Sequence, residues 1–417
     1  MIARPQKTDK LLLCLIAIAI ALRMTILAVF LWRSGASETW EYERIAQSLL
    51  AGQGYASAYN GTIYRSQMMP LYPLLSVLFH LLAGPGFAVF YALNLAAAAL
   101  SILLAHDLTK NWLGRPTALA AAALIAVEPG LIVYQSYKLE AMSLSMVLIL
   151  LFLKLLLDSS RRPAKRWNGL APGLAAGCGV LIRPDMILLL GTGAVFAALG
   201  RSKERLKTLV IIGLCVVGLL SPWALRNRAI HGRWIWFTTT AGEHLWIGNN
   251  PRSTGGAALD ARVPSRLSAA DPKLRRELLA LDEDGQDLLF ARTAWDFILS
   301  DPATFFSRAL LKFRLFWWFG PFYGTQYAWL PDGLAQTYRL LYGGLLVLIL
   351  LGAGKTFYDA SPAVRETAYC LASLPVLTTL LRCIYYVEGR HRVLIMPVLL
   401  IFAAHGMVLC YNSVKTR

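Results

Sequence analysis

This sequence predicts an all-α polytopic membrane protein of about ten transmembrane helices (10–12), and three observations carry that prediction. First, 57% of its 417 residues are hydrophobic and only 16% are charged, where a soluble domain carries about 25% charge. Second, apolar runs recur at about 20 residues, the length that crosses a hydrocarbon core. Third, the basic residues behind the net charge of +17 gather in short segments between those runs. That is the signature of membrane topology rather than of nucleic-acid binding.

Four basic segments set the expected orientation: "ARPQKTDK" at the start, "SSRRPAKRW" (159–167), "RSKERLK" (201–207) and "VKTR" at the end. Placing all four in the cytoplasm gives spans at 11–31, 87–106, 117–133, 141–157, 169–183, 185–199, 207–225, 338–353, 367–384 and 392–411. The first run is too long for a signal-peptide core and reads as a retained anchor. "PLYPLLSVLFHLLAG" (70–84) is short for a crossing, and as a lone span it would put 159–167 outside. It is expected to be interfacial or re-entrant. The aromatic stretch 305–320, broken by Arg308, Lys312 and Arg314, is expected to lie in the headgroup region.

Three parts follow: a transmembrane module (1–225) with an outer-face loop at 32–86 carrying juxtamembrane helices, a larger extracytoplasmic segment (226–337), and C-terminal helices (338–417). The stretch 271–299 reads as helical. The six cysteines lie within or at the edges of apolar spans and form no CxxC. With six scattered histidines and no HExxH, neither a disulfide framework nor a zinc site is indicated.

Candidate chemistry begins at "ETWEYERIAQSLLAGQGY" (38–55). On a helix starting after Ser37, Tyr42, Ile45, Ala46 and Leu49 share one face, and Glu38 stands on that row one turn earlier. Glu41 sits at its edge and Glu43 is expected to point to water. A carboxylate against an apolar face needs a partner or a task, although Glu38 and Glu41 would also suit a helix N-terminus. Glu140 opens the fourth span beside Tyr134, Tyr137 and Lys138, and Glu128 is a further acid at this rim. Arg23 interrupts the first span. Arg183 precedes Asp185 between two spans, where ion pairing and ligand binding are both open. Arg65, "RNRAIHGRW" with Arg226, His244, and "EGRHR" with Arg390 add polar groups on the same outer face, where contact with lipid headgroups and with a ligand phosphate are both open for each cation.

As an ordered set, these motifs resemble the GT-C superfamily of membrane glycosyltransferases. More narrowly, they resemble bacterial glycosyltransferase family 39 and the lipopolysaccharide-sugar transferases, with protein O-mannosyltransferases and the lipid A aminoarabinose transferase as cousins. The likeness runs through an acid four residues before a tyrosine (Glu38, Tyr42), Gly52-x-Gly54, Pro70–Pro73, a second acid (Glu140) and Arg183-Pro184. It continues through Arg226-Asn227 with Gly232, "GEHLWIGNNP" (242–251) and a closing "EGRHR" (388–392). In that family the first acid is most often Asp, and here it is Glu.

The resemblance implies sugar transfer from a polyprenyl-phosphate donor to a glycan, lipid or protein acceptor at the extracytoplasmic face of a bacterial inner membrane. It implies Glu38 as general base, Glu140 as second acid, and Lys138, Arg183, Arg390, Arg65, Arg226 and His244 near phosphate or acceptor. No cofactor is required, though converging carboxylates at Glu38 and Glu140 would suit Mg2+ or Mn2+. The competing reading is a transporter or flippase for an anionic lipid-linked sugar using the same cations.

Overall fold

The structure is a computed structural model that describes residues 9–34, 41–59, 61–161, 168–257, 270–319, 332–359 and 361–415. Seven helices among these are long and apolar enough to cross a membrane: α1 (Lys10–Ser34), α4 (Ala88–Val127), α6 (Met142–Arg161), α9 (Lys203–His231), α14 (Asp332–Phe357), α15 (Pro362–Ile384) and α17 (Met396–Lys415). Two shorter apolar helices, α7 (Leu170–Ile182) and α8 (Leu188–Gly200), join through a 3-10 turn at Pro184–Ile187.

Helix α4 reconciles seven long helices with ten expected spans. Residues 101 and 125 would stand about 36 Å apart on a straight helix. Yet the Gln135 side chain reaches both: its Nε2 is 3.4 Å from Ser101 Oγ, and its Oε1 accepts Arg23, whose Nη2 also donates to the Ile125 carbonyl at 3.2 Å. The arms 88–113 and 115–127 therefore fold back as a hairpin. Gly114 makes the reversal at φ +82°, a region costly for any residue with a Cβ. Pro116 follows in the first turn of the second arm, where its missing N–H is no loss. The arms correspond to two of the expected spans.

The basic ends meet at one side of the bundle. Asp9 pairs with Arg115, Arg205 with Glu366, and Lys154 with Asp107 and Asp158, while the Trp112 indole donates to the Val364 carbonyl. Alternation of the helices sends the ends bearing Glu140, Arg183 and Arg382 to the other side.

Packing across the bundle relies on small residues, because apolar burial gives helices no preference for one another over lipid. Gly169, Gly173 and Gly177 line one face of α7 against α9, and a Cβ on Gly173 would stand 2.8 Å from the Cys215 Cβ. Helix α17 is buried along 396–404 and forms the centre of the core.

Arg23, fully buried in α1, resolves the cost of a cation at membrane depth. Its guanidinium donates to the carbonyls of Ala19, Ala126 and Ile125 and to Gln135 Oε1, at 2.9–3.2 Å. It ties α1 to the end of the α4 hairpin. Arg23→Met strands those acceptors and is expected to cost about 3 kcal/mol, read as a lower thermal midpoint in detergent with activity retained below it. Glu128 is also structural in its contacts. It caps α5 (Pro129–Tyr134) through the Leu131 N–H at 2.6 Å and accepts the Tyr338 hydroxyl at 2.7 Å.

On the Glu140 side lie the short elements. Helix α2 (Glu41–Leu50), a hairpin of β1 (Ser57–Tyr59) and β2 (Thr62–Tyr64), and α3 (Leu71–Ala83) form the outer loop. Beyond α9 come α10 (Ala241–Gly248), α11 (Pro272–Leu279), α12 (Glu283–Ser300) and α13 (Pro302–Trp317). Helix α12 opens with an Asp282 cap on the Gly285 N–H, and α11 with an Asp271 cap, so the helical reading of 271–299 becomes two helices.

One expectation fails. Ile45 and Ala46 of α2 are buried as the phase predicts, but so is Glu43. Helix α3 crosses that side of α2 and brings His80 Nε2 to 2.9 Å from Glu43 Oε1, with Gln47 Nε2 at 3.1 Å. Helical phase gives direction but not what a neighbouring helix places there.

Candidate active site

The start of α6, the end of α7, the end of α15 and the short α16 (Gly389–Val393) converge at the rim beneath α2. Tyr42 packs edge-on against Tyr72 of α3 at 5.0 Å and joins the cluster containing Ala141 and Ile182, which directly follow Glu140 and precede Arg183. The helix carrying the first motif thus sits on the second. Burial pushes the Tyr42 hydroxyl up to about 12 against the pull of Arg183, so it is a neutral phenol at physiological pH.

Glu140 is buried beside Arg390, Arg183 and Lys138. Burial raises its carboxyl above the ordinary glutamate value, and those three cations oppose the rise without cancelling it. The folded chain holds this proton more tightly than the unfolded one, so stability from this group is greatest at low pH and falls as pH rises through the folded pKa. Any rate that needs its carboxylate should show an acidic limb displaced above the usual glutamate range, measured as a pH–rate profile.

Around it the cations are held in a relay. Arg183 grips Asp185 with two contacts, Nε to Oδ1 at 3.1 Å and Nη2 to Oδ2 at 2.8 Å. The same Oδ2 takes Arg382 from α15, so one carboxylate bridges two guanidiniums. Arg390 pairs with Glu388, and that pairing keeps its charge fixed despite burial. His391 accepts the Glu388 N–H on Nδ1 at 3.1 Å, which leaves its own proton on Nε2. Burial and the nearby Arg382, Arg390 and Arg183 hold its pKa well below the usual value, so it is a neutral donor.

The sequence candidates fall into two places. Lys138, Glu140, Arg183 and Arg390 come together, and His244 stands at their edge with its ring 5.3 Å from that of Tyr386. Arg65 and Arg226 belong to a second polar cluster. Arg226 donates to the carbonyls of Arg65 (2.7 Å) and Tyr55 (3.2 Å) and stacks over Tyr55 and Trp223. The Glu283 carboxylate accepts the N–H groups of Arg65 and Ser66 and the Thr239 hydroxyl. This cluster clamps the outer loop to α9 and α12. Glu38 lies outside the described residues.

Asp185 as a bridge, Arg382, Glu388 and His391 were not selected as site residues from the sequence. A charged side chain near the end of an apolar span was the available signal for Arg382.

Among the described residues no group of three His, Cys, Asp or Glu side chains is placed to hold a metal. Glu140 stands near Lys138, Arg183 and Arg390, of which Arg183 is paired with Asp185 and Arg390 with Glu388.

A sequence profile of the family described as dolichyl-phosphate-mannose-protein mannosyltransferase matches residues 67–225, the part carrying Lys138, Glu140 and Arg183. No curated protein matches this sequence. Two solved structures of the oligosaccharyltransferase from Archaeoglobus fulgidus share the architecture. One, tethered to an acceptor peptide containing the NVT sequon, superposes at TM-score 0.58 with 13% identity over 97% of this chain. The other, with an inhibitory peptide and a dolichol-phosphate, gives 0.53 and 14% over 96%. In both, this chain spans 50% of the longer protein. ArnT from Cupriavidus metallidurans bound to undecaprenyl phosphate gives TM-score 0.45 and 15% identity, over 93% of this chain and 78% of that one. The chain is a polytopic membrane protein with the fold of the Archaeoglobus fulgidus oligosaccharyltransferase.

Proposed function

We propose that this protein transfers a sugar from a polyprenyl-phosphate-linked donor to an acceptor hydroxyl or amine at the outer membrane surface, with inversion. The observation that carries the reading is the buried Glu140, whose carboxyl feels the charges of Lys138, Arg183 and Arg390, at one rim of the bundle. A donor whose tail stays in lipid presents its phosphate at such a rim, and the basic residues gathered at the opposite end support reading this rim as the outer one.

In the proposed reaction a carboxylate takes the acceptor's proton, and the freed electron pair attacks the anomeric carbon. The bond from that carbon to the phosphate oxygen breaks, and its electrons leave on the phosphate. Glu38 is the proposed base, from its place four residues before Tyr42. Glu140 is the second acid, holding the acceptor's polar group by hydrogen bonding. Arg390 and Lys138 meet the charge that builds on phosphate, where guanidinium and ammonium donors act most strongly in a dry site. Arg183 holds Asp185 through Nε and Nη2 and is proposed to set the field beside Arg390, itself paired with Glu388.

The test is transfer from labelled polyprenyl-phosphate sugars by purified protein, comparing wild type with Glu38→Gln and Glu140→Gln. Both variants are expected to lose transfer. Full activity in both would remove this site assignment. A wild type that transfers nothing from any donor but moves lipid-linked sugar across vesicles would make the protein a transporter.

A further inference from the structure

Helix α9 carries a row of exposed side chains that ends in an unusual group. Leu206, Val210, Leu214, Val217 and Leu225 are each at least half exposed and share one helical face, and Arg228 continues the row. The opposite row, Thr208, Ile212, Val216, Leu220 and Ala224, is buried in the bundle. An apolar row open to the outside of a membrane bundle faces lipid. From Leu206 to Arg228 the helix rises about 33 Å, close to the roughly 30 Å of a bilayer's hydrocarbon core. Arg228 therefore stands at headgroup level.

Past the helix end the chain turns at Gly232, φ +73°, and lays two tryptophans beside that arginine. Trp234 and Trp236 are 49% and 39% exposed, stacked with centroids 6.1 Å apart, and the Arg228 guanidinium covers the Trp234 ring at 5.0 Å. Among the described residues no carboxylate pairs with Arg228. Stacking uses the guanidinium face and leaves its N–H edge for an acceptor. The shelf is anchored from behind. The carbonyls on either side of Trp236, those of Ile235 and Phe237, accept from Asn227 Nδ2 at 3.0 Å and Trp223 Nε1 at 2.7 Å.

We propose that Arg228, Trp234 and Trp236 form a binding site for the phosphate headgroup of an anionic membrane phospholipid, fixing the depth of the outer end of α9. The indoles sit at the interface, where aromatic rings settle, and the guanidinium takes the lipid phosphate. Continuity with the lipid-facing row of α9 favours this occupant over a sugar stacked on the indoles.

The test is reconstitution of the full chain in phosphatidylcholine vesicles in which bromine is carried either by phosphatidylglycerol or by phosphatidylcholine at equal mole fraction. Tryptophan quenching is read for wild type, Arg228→Gln and the double variant Trp234→Phe/Trp236→Phe. In wild type the brominated phosphatidylglycerol should quench at least about twofold more strongly. Arg228→Gln should abolish that preference while leaving general quenching intact, and the phenylalanine pair should remove the preferentially quenched component. Equal quenching by both lipids in wild type would overturn the proposal, as would a preference that survives Arg228→Gln. So would unchanged quenching in the double variant with a raised acceptor KM, which would mark a carbohydrate platform.

Discussion

Glu140→Gln is expected to lower the turnover number for sugar transfer by about 10²–10³-fold while leaving the protein folded. Glutamine keeps the size and the packing around Tyr42 and Ala141 but removes the ionisable oxygen. Glu140 is the buried acid on which Lys138, Arg183 and Arg390 converge, and burial raises its carboxyl despite them. A group kept only for stability would not be held with its charge so disfavoured. The same substitution removes the cost of ionising that buried group. Thermal stability at neutral pH should equal or exceed that of wild type, and its dependence on pH across the carboxylate range should flatten. Lost transfer with unchanged or higher stability marks a residue kept for chemistry. Lost transfer with lost stability would make Glu140 structural.

Asp185→Ala is expected to produce the largest loss of stability of any single change considered, about 3–5 kcal/mol. Its carboxylate is the shared partner of Arg183 and Arg382, whose contacts with it join the end of α7 to the end of α15 across 197 residues of sequence. Without it two neighbouring guanidiniums lie buried and mutually repelling. Their attachment to Asp185 also sets where Glu140 sits among the cations, so transfer should fall as well. Asp185→Asn keeps the volume and one acceptor oxygen, and should lose less stability than the alanine variant. Thermal midpoints measured by tryptophan fluorescence in one detergent for all three proteins check the order wild type, Asn, Ala. Equal midpoints would mean that the bridge carries little weight.

The bundle was legible because its signals are local. Apolar runs of bilayer length and basic loops need no knowledge of the partner helix, and they give the two arms of α4 as separate spans at 87–106 and 117–133. The gathering of Lys138, Glu140, Arg183 and Arg390 was legible as a shared side of the membrane, since topology alone sends those positions to one rim. Pairings across long separations were not. Nothing near Arg382 in sequence announces Asp185, and nothing near Glu43 announces His80. Arg226 and Arg65 lie on that rim too, but whether a guanidinium meets a ligand or a backbone carbonyl depends on the path of the outer loop, which only the fold provides.

The proposed reaction requires the donor's phosphate to bind beside Glu140, Lys138 and Arg390. A photoreactive polyprenyl phosphate, cross-linked to the reconstituted protein and mapped by mass spectrometry, tests it most directly. Label should concentrate on peptides covering 134–142 and 382–392, be competed by unmodified polyprenyl phosphate, and fall at least about tenfold in Arg390→Gln. Label confined to the opposite end, around Arg115 or 201–207, or left unchanged by Arg390→Gln, would contradict it.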